Sequence, residues 1–148
     1  MEMKKIFFYI LVFCLLLINE INAKENFFDQ AKKKFDEKKM EDSKFLFHRN
    51  IVHNPKHAQS YLYLAKIYNS EKNEKEEKKN LETTLLLEPQ NEEAIYMLIN
   101  IGLEKSDFSG VKNLNKKLEI VCINLCNKIE PIKKKLKDIE AKGMSLDN

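Results

Sequence analysis

The strongest constraint on the fold of this chain is a sequence repeat with a period of 34 residues. Pro55 and Pro89 stand 34 residues apart, and each ends an apolar stretch. Other positions align at the same offset, namely Phe27/Tyr61/Ile95, Ala31/Ala65/Ile99, Phe47/Leu81, Ile51/Leu85 and Val52/Leu86. A fixed period of this length predicts a stack of equivalent units, because one such unit cannot bury its apolar face alone.

Each unit is predicted to contain two helices joined by a short turn. Counted from the start of a unit, residues 4, 7, 8 and 11 share one helical face, because they follow the i, i+3, i+4, i+7 spacing. In the middle unit these residues are Tyr61, Leu64, Ala65 and Tyr68. The proline at residue 32 of the unit ends the second helix, since it lacks an N–H and disfavours helical geometry in the preceding residue.

This pattern resembles that of the tetratricopeptide repeat (TPR) family. The middle unit, 58–91, carries the family's helix positions at Tyr61, Leu64, Ala65, Tyr68, Leu81, Thr84 and Pro89. Glu77 stands where the family usually has alanine. The first unit, 24–57, supplies Phe27, Ala31, Ser43, Phe47 and Pro55, and departs at Gln30, Lys34 and Asn50.

The third unit, 92–125, is a degenerate match. It supplies Ile95, Leu98 and Val111. It departs from the pattern at Ile99, Gly102, Asn115 and Ile123, which replace a small residue, an aromatic, a bulky residue and proline. We therefore expect its second helix to drift by about one residue relative to the other units.

A further helix is predicted after the three units, within residues 126–148. Pro131 suits a first helical turn, and Ile132, Leu136 and Ile139 follow on one face with lysines on the other. Gly143 is a natural stop. Such a helix can cap the last repeat, so the resemblance implies an all-α, right-handed solenoid of about three helical hairpins plus a C-terminal capping helix.

The N-terminal residues, 1–23, are typical of a signal peptide. Lys4 and Lys5 precede an unbroken apolar run, Ile6–Ile18, and a short polar stretch ends at Ala23. The run is shorter than the ~20 residues that span a bilayer. We expect cleavage after Ala23 and export to a periplasm or cell envelope, although a eukaryotic secretory route also fits. Retention of the segment as a membrane anchor is the alternative.

The resemblance implies a non-catalytic adaptor or assembly factor that binds a protein or peptide partner. In the family, residues 2, 5, 9, 12 and 13 of each first helix line a concave groove. The corresponding residues include Glu25, Asp36, Ser70 and Glu104. The other eleven are the predicted groove residues, namely Phe28, Lys32, Phe35, Gln59, Leu62, Lys66, Asn69, Glu93, Tyr96, Asn100 and Leu103. Their mixture of apolar, amide and charged groups suits an extended peptide or a helix. Packing of Phe28 and Leu62 between repeats is the alternative.

Some family members clamp a C-terminal carboxylate with Lys and Asn at residues 5 and 9. This chain has Phe28 and Lys32, then Leu62 and Lys66, at those places, so the clamp is not predicted. A net charge of +3, without a basic groove interleaved with aromatics, argues against nucleic acid. No phosphate loop, nucleophile motif or metal-binding Cys/His pattern is present. We expect no enzymatic activity, cofactor, metal or small-molecule substrate.

Two cysteines, Cys122 and Cys126, remain after removal of the signal peptide. In an oxidising compartment such a pair favours a disulfide. Residues i and i+4 of a continuous helix have a poor geometry for that bond, so it requires local unwinding. Packed free thiols, and a redox or metal role, are the alternatives. A thioredoxin-like motif would use CxxC in an α/β pattern, and both are absent. A membrane-anchored structural subunit of a larger complex is a further alternative function.

Overall fold

A computed structural model describes residues 26–144, which form helices and short turns and no strands. Its seven α-helices are α1 (Phe27–Asp36), α2 (Met40–His53), α3 (Ala58–Ser70), α4 (Glu74–Leu87), α5 (Glu92–Glu104), α6 (Phe108–Val121) and α7 (Ile129–Met144). A 3₁₀ turn, Cys126–Lys128, precedes α7. None of these helices is long and apolar enough to cross a membrane. The predicted signal peptide, 1–23, lies outside the described residues.

The helices pair into three hairpins, α1–α2, α3–α4 and α5–α6, which stack in chain order. The second helices begin at Met40, Glu74 and Phe108, so their starts follow the period of the sequence repeat without deviation. The all-α solenoid predicted from the sequence is therefore confirmed. The predicted one-residue drift of the third hairpin is wrong, because α6 keeps the register of α2 and α4.

The turn inside each hairpin has the same backbone conformation. Lys38, Lys72 and Ser106 have φ values of 61°, 57° and 60°, and their spacing again equals the repeat period. The left-handed region is unfavourable for residues with a Cβ atom. In each hairpin the N–H of the following residue donates 2.9 Å back to the first helix, as Lys39 does to the carbonyl of Lys34. The chain therefore reverses direction in the same way in all three hairpins, through one left-handed residue and one hydrogen bond back to the first helix.

The apolar core consists of three clusters, and the first two draw on the first helix of the next hairpin. Leu64 and Ile67 of α3 complete the cluster of the first hairpin, which is centred on Phe47. Ala94 and Ile101 of α5 complete the cluster of the second. Each hairpin therefore buries its face only against its neighbour, as repeat stacking requires.

The last hairpin is covered by α7. Ile132 and Leu136 of α7 are buried with Ile99 and Leu118 in the third cluster. Helix α7 thus lies where a following repeat would place its first helix, and the predicted capping helix is confirmed. It continues through Gly143 to Met144, so the glycine does not end it as predicted.

Two of the departures in the third unit compensate for each other. Ile99 is fully buried where the other units have Ala31 and Ala65. Gly102 lies three residues later on the same face, and a Cβ atom there would lie 2.7 Å from Cγ2 of Val111. The bulk added at Ile99 is therefore removed at Gly102, and α5 and α6 still pack closely.

Candidate partner-binding groove

The first helices of the hairpins carry the predicted groove residues, and all but one of these side chains are at least partly exposed. Lys32, Asn69 and Asn100 are exposed. The partly buried residues are Phe28, Phe35, Gln59, Lys66, Glu93, Tyr96 and Leu103.

Leu62 is the exception and corrects the sequence prediction. Its side chain is only 2% exposed, and it packs with Ala65 and Leu81 in the second cluster. Helix α5 covers it, because Met97 of that helix packs against the same cluster. Leu62 therefore contributes to packing between repeats and is not an exposed apolar anchor.

An aromatic cluster lies at the first-hairpin end of the groove. The Tyr63 ring is edge-on to Phe35 at 5.2 Å and to Phe28 at 5.8 Å, and it stacks on Phe47 at 5.2 Å. The Nζ of Lys66 lies 4.7 Å from the Tyr63 ring centroid. Phe28 and Phe35 thus pack partly between hairpins while keeping part of each ring accessible.

Tyr63 is not one of the groove residues predicted from the family positions. It directly follows Leu62, outside the five groove positions carried over from the family. Its aromatic side chain could have indicated a place in this cluster, because the neighbouring hairpin carries Phe28 and Phe35.

Polar contacts run along the middle of the groove. Lys66 Nζ lies 2.9 Å from Glu93 Oε1 and joins α3 to α5. Gln59 donates to Glu88 Oε2 at 3.2 Å. Exposed ion pairs of this kind contribute little to stability, so their main effect is to set the charge pattern that a partner meets.

Asn69 reaches away from the groove to the one acidic side chain buried in the second hairpin. Its Nδ2 donates to Glu77 Oε1 at 3.0 Å. Burial raises the pKa of Glu77, and the hydrogen bond from Asn69 opposes that rise. Glu77 occupies the place where the sequence pattern led us to expect alanine, and Asn69 is the group that satisfies it.

The third-hairpin end of the groove is partly occupied by the packing of α7. Tyr96 and Leu103 pack against the third cluster. The Nζ of Lys128 lies 5.8 Å from the Tyr96 ring centroid. Asn100 between them is exposed, so this end offers one amide beside two half-buried apolar groups.

A depression of about 620 Å³ opens at the edge of the groove, between the second and third hairpins. Its lining combines carboxylates with apolar groups and consists of Gln59, Leu62, Glu88, Pro89, Gln90, Asn91, Glu92, Glu93, Val121 and Ile123. Only Gln59, Leu62 and Glu93 were among the predicted groove residues. The others lie in the turn after α4, at the start of α5 and at the end of α6, which a search restricted to the groove positions does not reach.

Glu92 in this lining is held as an anion by backbone N–H groups. Its carboxylate accepts hydrogen bonds from the N–H of Ile123 at 2.8 Å, Asn124 at 3.0 Å and Leu125 at 3.1 Å. These bonds, chiefly that from Ile123, lower the pKa of Glu92 to about 2. Glu92 is therefore a structural carboxylate and is already engaged.

The segment that binds Glu92 is closed by a disulfide between Cys122 and Cys126, whose Cα atoms are 5.3 Å apart. Helix α6 ends at Val121, and Cys122 is extended with φ −64° and ψ 139°. The unwinding that the bond requires is thus present. Among residues 26–144 no group of three or more His, Cys, Asp or Glu side chains is placed to hold a metal ion.

Comparison with known sequences yields nothing, because no family model and no curated protein matches this chain. Solved structures do match. The type III secretion chaperone SycD of Yersinia enterocolitica, in complex with a peptide of the translocator YopD, is 12% identical with a TM-score of 0.67 over 80% of this chain and 93% of that chain. The first TPR of Spaghetti (RPAP3), bound to the HSP90 peptide SRMEEVD, is 11% identical with a TM-score of 0.63, over 75% and 90%. The Sgt2 TPR domain from Aspergillus fumigatus is 13% identical with a TM-score of 0.67, over 81% and 83%. At these identities the likeness establishes the fold.

Proposed function

We propose that this chain of tetratricopeptide fold is an exported, non-catalytic adaptor or assembly factor of a periplasm or cell envelope, and that it binds a peptide or helix of a protein partner in its groove. The observation that carries the proposal is the pairing of partly open aromatic rings on the first helices with a mixed acidic and apolar depression at the edge of the groove. Apolar anchors supply binding energy, and polar groups around them set register.

The chemistry of the depression favours a partner segment with a basic residue beside an apolar one. Glu88 is exposed at its rim, and Pro89, Val121 and Ile123 supply apolar wall. Glu92 keeps its negative charge, but both of its oxygens already accept hydrogen bonds from backbone N–H groups, so it is less available to a cation of the partner. A lysine or arginine of the partner would therefore meet Glu88 and Glu93, while its neighbour contacts the apolar wall.

The neighbours support a role in peptide binding, because two of them were solved with peptides. This chain lacks the residues for a carboxylate clamp, with Phe28 and Lys32 at the first pair of positions. We therefore propose recognition of internal side chains of the partner, in place of its C-terminal carboxylate.

The proposal is tested by crosslinking and capture of the tagged, exported chain, with partners identified by mass spectrometry. One variant carries Glu88→Lys and Glu93→Lys, which reverse two accessible charges of the depression. The matched control carries Glu41→Lys and Glu130→Lys, two exposed carboxylates on α2 and α7. We expect a defined partner set that is lost in the first variant and kept in the control, with helicity unchanged in both. Partners that are still captured by this variant would exclude the acidic depression as their binding site.

The alternative is a structural subunit anchored by its uncleaved N-terminal segment, and the apolar run Ile6–Ile18 is the observation behind it. Mass spectrometry of the N-terminus of the mature chain separates the two functions. A chain that begins at Lys24 excludes the anchor, whereas a chain that retains residues 1–23 in the membrane fraction excludes the freely exported adaptor.

A further inference from the structure

A disulfide ring and a carboxylate hold the same three residues after the end of α6. The bond between Cys122 and Cys126 encloses residues 123–125, and the N–H of each of these residues donates to the Glu92 carboxylate. The ring also belongs to the depression, because the 85% exposed side chain of Ile123 lies in its apolar wall. One covalent bond therefore holds part of that wall and the N–H groups that engage one of its carboxylates.

Nothing in the local sequence itself ends α6. The second helices end at the spacing of the repeat, with last residues His53, Leu87 and Val121. Pro55 and Pro89 stop the first two, because the residue before a proline disfavours helical geometry. Helix α6 is followed by Ile123 at that place, and residues 122–130 contain neither proline nor glycine. The disulfide and the contact with Glu92 therefore end α6.

The disulfide and a longer α6 exclude each other. In a continuous helix the three N–H groups of the ring would donate to carbonyl groups of the preceding turn. Here they donate to Glu92, and Cys122 has the extended conformation that the bond requires. Without the bond, α6 can extend by about one turn, as far as Leu125. The three residues that then remain before α7 are enough to connect two helices.

We propose that the bond between Cys122 and Cys126 is a redox switch in the wall of the depression. When a dithiol reductant opens it, α6 extends, Glu92 loses its N–H donors and Ile123 leaves the wall. The inference rests on the proposed function in one respect, because that function makes the depression a binding site. The oxidised chain is then the form that binds the partner.

The exchange begins at Cys126, which is exposed, whereas Cys122 is half-buried. A thiolate of the dithiol attacks Sγ of Cys126, the bond to Sγ of Cys122 breaks, and the electron pair leaves on Cys122, which takes up a proton. The second thiolate of the dithiol attacks the reductant sulfur of this mixed disulfide and displaces the Cys126 thiolate, which is protonated. Two electrons pass from the dithiol to the protein, and the reductant leaves as a disulfide. The reverse exchange with such a disulfide closes the ring again.

Reduction has two opposite effects on the depression, and the apolar effect is the larger. The released carboxylate of Glu92 joins those of Glu88 and Glu93, but exposed ion pairs contribute little. Loss of Ile123 from the wall removes an aliphatic contact, and burial of such a side chain contributes more. A partner segment with a basic residue beside an apolar one should therefore bind about tenfold more weakly after reduction.

The first test measures the switch without a partner. It uses residues 24–148, the proposed mature chain, in which Cys122 and Cys126 are the only cysteines. NMR titration of the carboxylate carbon gives the pKa of Glu92 with and without dithiothreitol. The hydrogen bonds from the ring, chiefly that from Ile123, hold this pKa at about 2 in the oxidised chain, and we expect it to rise toward 4.5 on reduction. The chemical shifts of the ring residues should become helical at the same time.

The matched variant is Cys122→Ser/Cys126→Ser, which lacks the bond under all conditions. It should show the raised pKa of Glu92 that we expect in the reduced parent, with no response to dithiothreitol, and circular dichroism checks that it folds. If it does not fold, the reduced parent decides alone. A pKa of Glu92 that stays at about 2 in the reduced parent would overturn the proposal, as would ring residues that remain non-helical.

The second test compares the partners captured by the oxidised parent and by the cysteine variant, with crosslinking and mass spectrometry. We expect the variant to bind the partner set about tenfold more weakly. Equal binding by the two chains would overturn the control of the depression by the disulfide. Failure of both chains to capture any partner would instead contradict the proposed function, and the titration of Glu92 would still decide whether the switch exists.

Discussion

The first two hairpins and the third end in turns that occupy the same repeat position but are stabilised by different means. The first hairpin turns at Pro55, with a hydrogen bond of 3.1 Å from the N–H of His57 to the carbonyl of Asn54, and the second turns in the same way at Pro89. Proline has no N–H, so these turns leave no donor at that position to satisfy.

The third hairpin has Ile123 at the equivalent position, and its N–H needs an acceptor. Glu92 supplies that acceptor from the start of α5 and also binds the N–H of Leu125. The disulfide between Cys122 and Cys126 closes the same segment. In the third hairpin the proline of the turn is thus replaced by a disulfide and by hydrogen bonds from the turn to Glu92, which is distant in the sequence.

The largest effect is expected from removing the disulfide with Cys122→Ser/Cys126→Ser. Closing so short a loop constrains the unfolded chain by about 2 kcal/mol in the chain-entropy model. Urea unfolding should show a loss of that order, and reductant should lower the stability of the parent but not of the variant. A variant as stable as the parent would mean that Glu92 alone holds the third turn.

The next effect is expected from Glu92→Gln, which keeps the shape of the side chain and removes its charge. Because the carboxylate is partly exposed, we expect its three N–H bonds to contribute about 1–2 kcal/mol at neutral pH. Its pKa is lowered from 4.5 to about 2 on folding, so this contribution is complete above pH 4.5 and is lost as the pH falls to 2. Unfolding of parent and variant across this range measures the difference.

The expected sign is specific: the stabilities of the parent and Glu92→Gln should converge as the pH falls through this range. Glu93→Gln is the matched control, since the adjacent carboxylate forms a surface ion pair with Lys66 and its replacement should lower the free energy of unfolding only slightly. A stability difference between parent and Glu92→Gln that persists unchanged at the acid end would contradict the role of the charge. Combining Glu92→Gln with the cysteine variant should lower the free energy of unfolding by less than the sum of the two separate losses, because both changes act on one turn.

A smaller, stabilising effect is expected from Asn115→Leu. Asn115 is 3% exposed, and its Oδ1 has no hydrogen-bond partner among the described residues. The other hairpins have Phe47 and Leu81 at this position. Removing a buried polar atom without a partner should raise the free energy of unfolding by about 1 kcal/mol.

Asn115→Asp is the control, because it keeps the size of the side chain and buries a charge. It should destabilise the chain, and chemical denaturation of both variants compares them directly. Equal stability of parent and Asn115→Leu would show that the amide, through its bond of 3.3 Å to Glu119, contributes as much as its unpaired oxygen costs.

The sequence was sufficient for features that depend on residues within one repeat. The period located the helices, and the apolar stripe of α7 located the cap. It was not sufficient where distant residues share one site. Leu62 is covered by α5, and the Glu92 carboxylate meets amides of the segment that follows α6. Neither contact is reflected in the periodic pattern of the sequence, so neither could be predicted from that pattern.

The smallest effect is expected where the three hairpins are alike, at Lys38, Lys72 and Ser106 in the inner turns. Each has a left-handed backbone that glycine adopts without strain, and the gain is partly offset by the greater freedom of glycine in the unfolded chain. Replacing each by glycine should therefore stabilise the protein by about 0.5–1 kcal/mol, by the same amount at all three sites. Thermal unfolding of the three single variants measures this. A gain in stability at Lys38 and Lys72 without one at Ser106 would mean that the third hairpin differs from the other two at its inner turn as well as at its end. Equal gains would confine that difference to the segment closed by Glu92 and the disulfide.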